Sequence, residues 1–129
     1  MGRIIATWLA LRKIMTDCLL VMTNLPDAAA AFRMAQQIIE SGAAACVNQL
    51  SPCTSIYRWH DKTETVSEVP LLIKTSTQAY SRLETLILAA HPYKLPEIIA
   101  VPIASGLPAY LNWVNRETLH ATHINPCKE

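Results

Sequence analysis

Two kinds of hydrophobic spacing alternate along the chain, and the alternation happens twice. Cys18, Leu19, Leu20, Val21 and Met22 are continuously apolar, as in an interior strand, and predict one over residues 17–23. Asn24-Leu25-Pro26 turns the chain, and Asp27 is suited to capping a helix because its carboxylate accepts from free first-turn amides. That helix is expected to run to about residue 40, with Ala31, Met34, Ala35, Ile38 and Gly42 on one face and Ser41-Gly42 ending it. A second strand follows over residues 44–50, is interrupted at Ser51-Pro52, and resumes over 54–60. There Tyr57 and Trp59 share one face and Ile56 and Arg58 the other. Asp61-Lys62 is the expected turn, and residues 65–75 return antiparallel. A ribbon this long projects beyond a core and is unstable alone, so it should pair with or wrap another subunit. Pro70 has no amide to give the ladder, which predicts an unpaired position, a bulge or an edge.

The second round begins with a helix opening at Thr75 or Thr77, with Tyr80, Leu83, Ile87 and Ala90 inward, and Pro92 forces its end. Residues 97–103 read as the last core strand. Gly106-Leu107-Pro108 introduces a short helix presenting Tyr110, Trp113, Val114 and Glu117. The order strand–helix–strand, twice, predicts an α+β fold: a ferredoxin-like βαββαβ sandwich with an extended β-hairpin and a short C-terminal helix. Residues 17–118 form that domain, and residues 119–129 are a polar tail. Residues 1–16 stand apart as an extension in which Ile4, Ile5, Trp8, Leu9 and Leu11 fit one helical face beside Arg3, Arg12 and Lys13. The expectation is either a helix packed on a neighbour or a stretch preceding a true start at Met15. Its apolar run is too short and interrupted for a signal peptide or a membrane span.

Composition narrows the function classes. The 129 residues suffice for one core, and 51% apolar against 16% charged leaves surface that a partner subunit would cover. Net charge is +1 without a basic stripe, which argues against nucleic acid as a partner and against stable membrane insertion or attachment. Cys18, Cys46, Cys53 and Cys127 lack C-x-x-C spacing and read as free thiols in a reducing, cytoplasmic setting.

Candidate chemistry gathers at His91-Pro92-Tyr93-Lys94-Leu95-Pro96-Glu97. His91 suits Cu²⁺ or another divalent cation, Glu97 could add a carboxylate and Cys46 a soft ligand; alternatively, His91 ends the helix by bonding a carbonyl. No phosphate loop, zinc string or nucleophile triad accompanies them. Cys46 and His91 lack an orienting partner, so no enzyme and no organic cofactor is expected. Tyr57, Trp59, Glu68, Lys74, Tyr93, Tyr110 and Trp113 combine apolar area with polar tips, which fits a subunit interface or an intersubunit cleft. Lys74 could pair with Glu68 or Glu97. His60 reads as solvated beside the turn. His120, His123 and Cys127 form a loose tail able to scavenge copper.

Several of these stretches carry a resemblance. Ala44-Ala45-Cys46-Val47-Asn48, Ser55-Ile56-Tyr57-Arg58-Trp59, Glu68, Leu72-Ile73-Lys74-Thr75, His91-Pro92-Tyr93, Pro96-Glu97-Ile98-Ile99-Ala100 and Tyr110-Leu111-Asn112-Trp113 resemble the divalent-cation tolerance proteins known as CutA. The resemblance spans about residues 17–118. It implies a homotrimer of ferredoxin-like subunits akin to PII regulators, a role in tolerance of copper and other divalent metals, and no catalysis. One metal site of the family uses a cysteine, a histidine and a glutamate at positions that here hold Thr23, Ala90 and Glu97, so only the carboxylate survives. The competing readings are a PII-like module binding a small anionic metabolite between subunits and a purely structural trimer. A nucleotide is disfavoured because the chain has only three glycines.

Overall fold

The computed structural model describes residues 16–119. Expectations for residues 1–15 and for the His120, His123 and Cys127 tail lie outside these residues. Strand β1 (Cys18–Leu25) is followed by helix α1 (Ala28–Glu40), β2 (Cys46–Gln49), β3 (Cys53–Trp59) and β4 (Lys62–Ser76). Helix α2 (Tyr80–Ala90), β5 (Ile99–Pro102) and helix α3 (Pro108–Glu117) complete the domain. The sheet order is β2-β4-β1-β5, every neighbour antiparallel, and β3 pairs with β4 beyond the end of β2.

The spine is β4, fifteen residues long, whose register against β1 runs unbroken from Cys18↔Ser76 to Leu25↔Val69. Period-two alternation sends Val69, Leu71, Ile73 and Thr75 to one face, and all four are buried. With Val21 and Leu25 of β1 they meet Ala31, Met34 and Ile38 of α1 and Leu83 and Ile87 of α2. Burying each larger aliphatic side chain of this set is worth about 1.5–3 kcal/mol before entropy is counted. Both helices therefore lie on one face, as their apolar spacing requires. Asp27 caps α1 through Oδ1, accepting from the Ala30 amide at 2.8 Å, and Gly42 leaves the helix at φ 76°.

Pro70 puts no bulge into β4. The irregularity is on the neighbouring edge, where Gln49↔Leu71 and Cys53↔Glu68 leave residues 50–52 opposite only Val69 and Pro70. The Pro70 carbonyl accepts from the Leu50 amide at 3.0 Å, but Pro70 can return no donor, and the edge loses register by one residue there. That extra residue reverses strand parity. Cys46 and Asn48 before it, and Ser55, Tyr57 and Trp59 after it, consequently share the face away from α1 and α2.

Among the boundaries that differ from expectation, β1 runs on through Leu25, where a turn was expected, and β2 shortens to Cys46–Gln49. The hairpin turn is His60-Asp61, at φ 51° and 64°, because Trp59 pairs directly with Lys62. Helix α2 begins at Tyr80, since Thr75 and Ser76 still belong to β4 and Ser76 Oγ accepts from the Ala79 amide at 3.2 Å. Strand β5 keeps only four residues, Ile99–Pro102.

Helix α3 covers one end of the second face. Val114 is fully buried, Cys18 Sγ lies 3.7 Å from the Leu111 carbonyl, and Thr118 Oγ1 bonds Ser76 Oγ at 2.9 Å. Arg82 donates to the Thr118 carbonyl at 3.0 Å, locking α3 to α2. Elsewhere this face is open. Leu20, Met22 and Leu72 are half-buried, and Ile99 and Val101 on β5 are exposed.

Candidate functional site: a cleft beside the projecting hairpin

Where β4 runs beyond β1, the β3–β4 arm and the loop after α2 enclose a cleft of about 800 Å³. Antiparallel register brings Tyr57 beside Glu64 and Ser55 beside Val66, with Glu68 opposite Cys53 and Trp59 nearest the turn. Tyr93, Lys94, Leu95 and Glu97 form the facing wall, and Asn24 lines it at the end of β1.

His91 fixes that wall. Pro92 ends the helix, leaving His91 extended at φ −75°, ψ 137°, with its amide still bonded to the Ile87 carbonyl at 2.8 Å. Its Nδ1 accepts from the Tyr93 amide at 3.1 Å, so Nε2 carries the proton and donates to the Asn24 carbonyl at 2.8 Å. The imidazole thus ties the end of β1 to the loop rather than bonding a carbonyl of its own helix.

Two further bonds set the carboxylates. The Tyr93 hydroxyl donates to Glu68 Oε2 at 3.0 Å, and Asn24 Nδ2 donates to Glu97 Oε1 at 3.1 Å. Burial, then the hydrogen bond to Glu68 and its negative charge, push the Tyr93 phenol up to about 12. Asn24, Glu64 and Lys94 were not singled out from the sequence. Cross-strand pairing of Glu64 with Tyr57 would have found the first carboxylate, but no local pattern marks Asn24.

The structure divides the aromatic and charged candidates into two groups. Tyr57, Trp59, Glu68, Tyr93 and Glu97 surround the cleft. Cys46, Lys74, Tyr110 and Trp113 lie toward the α3 end of the same face. The Lys74 ammonium donates to Asn48 Oδ1 and stands 3.9 Å from Cys46 Sγ. Burial, and then the neighbouring Cys46 and Cys18 thiols, raise the Tyr110 phenol, whose ring lies 5.5 Å from that of Trp113. The expected Lys74 pairing with Glu68 or Glu97 is not formed. Six residues of extended strand separate Lys74 from Glu68 by about 20 Å. Arg58 and Asp61, 3.8 Å apart and exposed at the turn, make the one ion pair among the described residues.

His91, Glu97 and Cys46 do not converge, and among the described residues no cluster of three or more His, Cys, Asp or Glu side chains has metal-holding geometry. Both His91 nitrogens are already engaged. Thr23 is fully buried on the helix side with Oγ1 unpartnered, and Ala90 offers no donor. A hydroxyl, a methyl group and one carboxylate do not fit a copper or zinc centre, whose donors are thiolate, imidazole and carboxylate. Cys18, Cys46 and Cys53 are free thiols.

The fold and site define a class: a ferredoxin-like α+β domain elaborated by a long hairpin and a third helix. Comparison with known proteins gives the family, since residues 19–117 match CutA1 divalent ion tolerance protein, and the chain belongs to that family. It is 41% identical over 98 residues to a Thermus thermophilus protein named divalent-cation tolerance protein CutA, covering 76% of this chain and 95% of that one. A solved CutA from Xylella fastidiosa superposes with TM-score 0.78 at 42% identity, over 80% of this chain and 99% of its own. An Archaeoglobus fulgidus structure described as a periplasmic divalent cation tolerance protein CutA gives TM-score 0.76 at 30% identity, covering 78% and 98%. The ferredoxin-like expectation is borne out by these neighbours.

Proposed function

We propose that the protein is a homotrimeric, non-catalytic divalent-cation tolerance protein that meets metal ions weakly through carboxylate oxygens. The carrying observation is the acidic lining of the cleft, which includes Glu64, Glu68 and Glu97 against one basic residue, Lys94, without gathering the three carboxylates into a metal-holding cluster. Carboxylates alone bind divalent ions loosely and with little selectivity. That chemistry accords with relatives named for tolerance of divalent cations as a group. An anionic metabolite is disfavoured by the same charge balance.

The arm supports the assembly part of the reading. Ile56 is 68% exposed and Trp59 46% exposed in the single chain, and the open sheet face carries Ile99 and Val101. Neighbouring copies would cover this surface. Cytoplasmic residence belongs to the same proposal, supported by three free thiols. No helix among the described residues is long and apolar enough to cross a membrane.

Calorimetric titration with Cu²⁺ and Zn²⁺ tests the metal reading. Expected is binding weaker than about 10 μM, reduced by Glu64→Gln and Glu97→Gln and retained in His91→Ala. Tight binding abolished by His91→Ala would overturn it.

A further inference from the structure

We infer that His91 is an acid-sensitive latch: a proton taken up by its imidazole releases the loop of residues 92–98 from the end of β1. Every contact involved lies within one chain, so the inference depends neither on the metal reading nor on how copies of the chain assemble.

The sparse attachment of the loop is the first observation. Between α2, ending at Ala90, and β5, starting at Ile99, residues 92–98 make no backbone–backbone hydrogen bond among the described residues. Three bonds through side chains hold them instead. The Tyr93 amide donates to His91 Nδ1 at 3.1 Å, the Tyr93 hydroxyl to Glu68 at 3.0 Å, and Asn24 Nδ2 to Glu97 at 3.1 Å. Two of these meet where His91 Nε2 donates to the Asn24 carbonyl at 2.8 Å. Pro92 and Pro96 stiffen the segment between, so Tyr93 and Glu97 move with it.

The roles of the two ring nitrogens are the second. The ring is in a residue only 9% exposed, and Nε2 donates while Nδ1 accepts. Only the neutral imidazole does both. An imidazolium carries a proton on each nitrogen, so Nδ1–H would face the Tyr93 N–H, donor against donor. Nε2 keeps its bond to β1, and the loop is therefore what lets go.

The surroundings admit the proton without replacing the lost bond. Carboxylates come from three elements: Glu97 of the loop on Asn24, Glu68 of β4 on the Tyr93 hydroxyl, and Asp27 at the cap of α1, whose charge also reaches that phenol. Ile87 and Ala90 of α2 bring no charge, and Lys94 is exposed. None of the carboxylates pairs with the ring, since the ion pair among the described residues joins Arg58 to Asp61. Opening the loop frees Nδ1 to take a proton without losing a bond, so acid shifts the loop toward its open form. Histidine changes charge between about pH 5 and about pH 8, which sets the range of the release.

Hydrogen exchange of the full chain in its native assembly, without added metal and corrected for the intrinsic pH dependence of exchange, tests the latch. From about pH 8 to about pH 5 the Tyr93 amide is expected to lose protection by about tenfold or more, the worth of one hydrogen bond, while β1 and β4 keep theirs. His91→Asn puts a non-titrating acceptor where Nδ1 stands, able to bond the amide two residues on, and should make that protection independent of pH. His91→Gln can keep the donor to Asn24 but not the acceptor, and should leave Tyr93 unprotected at both ends of the range. Nuclear magnetic resonance of the parent's His91 ring nitrogens supplies the same test without a substitution: the ring is expected to titrate with the midpoint at which Tyr93 protection is lost. Protection of Tyr93 that stays constant in the parent would overturn the inference, as would the same pH dependence surviving in His91→Asn. Loss of protection throughout the chain in step with Tyr93 would also overturn it, showing general unfolding and no latch.

Discussion

Tyr93 and Glu68 meet across the cleft at 3.0 Å, phenol donating to carboxylate, so that a loop after α2 is fastened to the root of the hairpin arm. The Tyr93 phenol is raised to about 12 from an ordinary value of 10. In the unfolded chain it ionises near 10, so the stabilisation is complete below pH 10 and is lost as pH rises to about 12. Its size is at most roughly 2.7 kcal/mol. Chemical unfolding from pH 9 to 12 should therefore show a steeper loss for the parent than for Tyr93→Phe. Parallel curves would mean that the phenol is neither buried nor held by Glu68.

Thr23 carries a second prediction. Its Oγ1 is buried without a partner, facing the core opposite Leu71. Thr23→Val keeps the shape and removes the orphan hydroxyl, so it should stabilise the fold by about 1 kcal/mol. A denaturant midpoint that falls would place a hidden partner on that hydroxyl.

The hairpin turn is built from two residues in left-handed backbone, His60 and Asp61, where glycine or asparagine is the favoured choice. Asp61→Gly should raise stability by about 0.5–1 kcal/mol, because the exposed Arg58 contact it removes contributes little. Thermal unfolding of the variant checks this, and a drop in Tm would contradict it.

His91 is assigned to holding rather than to ligating. Replacing it with alanine removes bonds to Asn24 and Tyr93 and should cost about 2 kcal/mol by denaturant unfolding, while Zn²⁺ affinity stays unchanged.

Much of the fold was legible because period and punctuation agree. Asp27 and Gly42 bound α1, and Val69, Leu71 and Ile73 alternate as a half-buried strand must. The site was less legible. Pro70 pointed to an irregularity but not to which strand would carry it, and that decision sets the face of Tyr57 and Trp59. Lys74 and Glu68 share a strand face, which is visible as spacing, yet distance along the strand keeps them apart. Asn24 was read only as part of a turn; its carbonyl and side chain gain their partners from a loop some seventy residues away.

The central claim is that copies of this chain cover the arm and the open sheet face. Light scattering of the purified full chain after gel filtration at micromolar concentration tests it most directly. The account predicts a single species of three times the 14.3 kDa chain mass. A species of one chain mass, with Trp59 and Ile56 left in water, would contradict it.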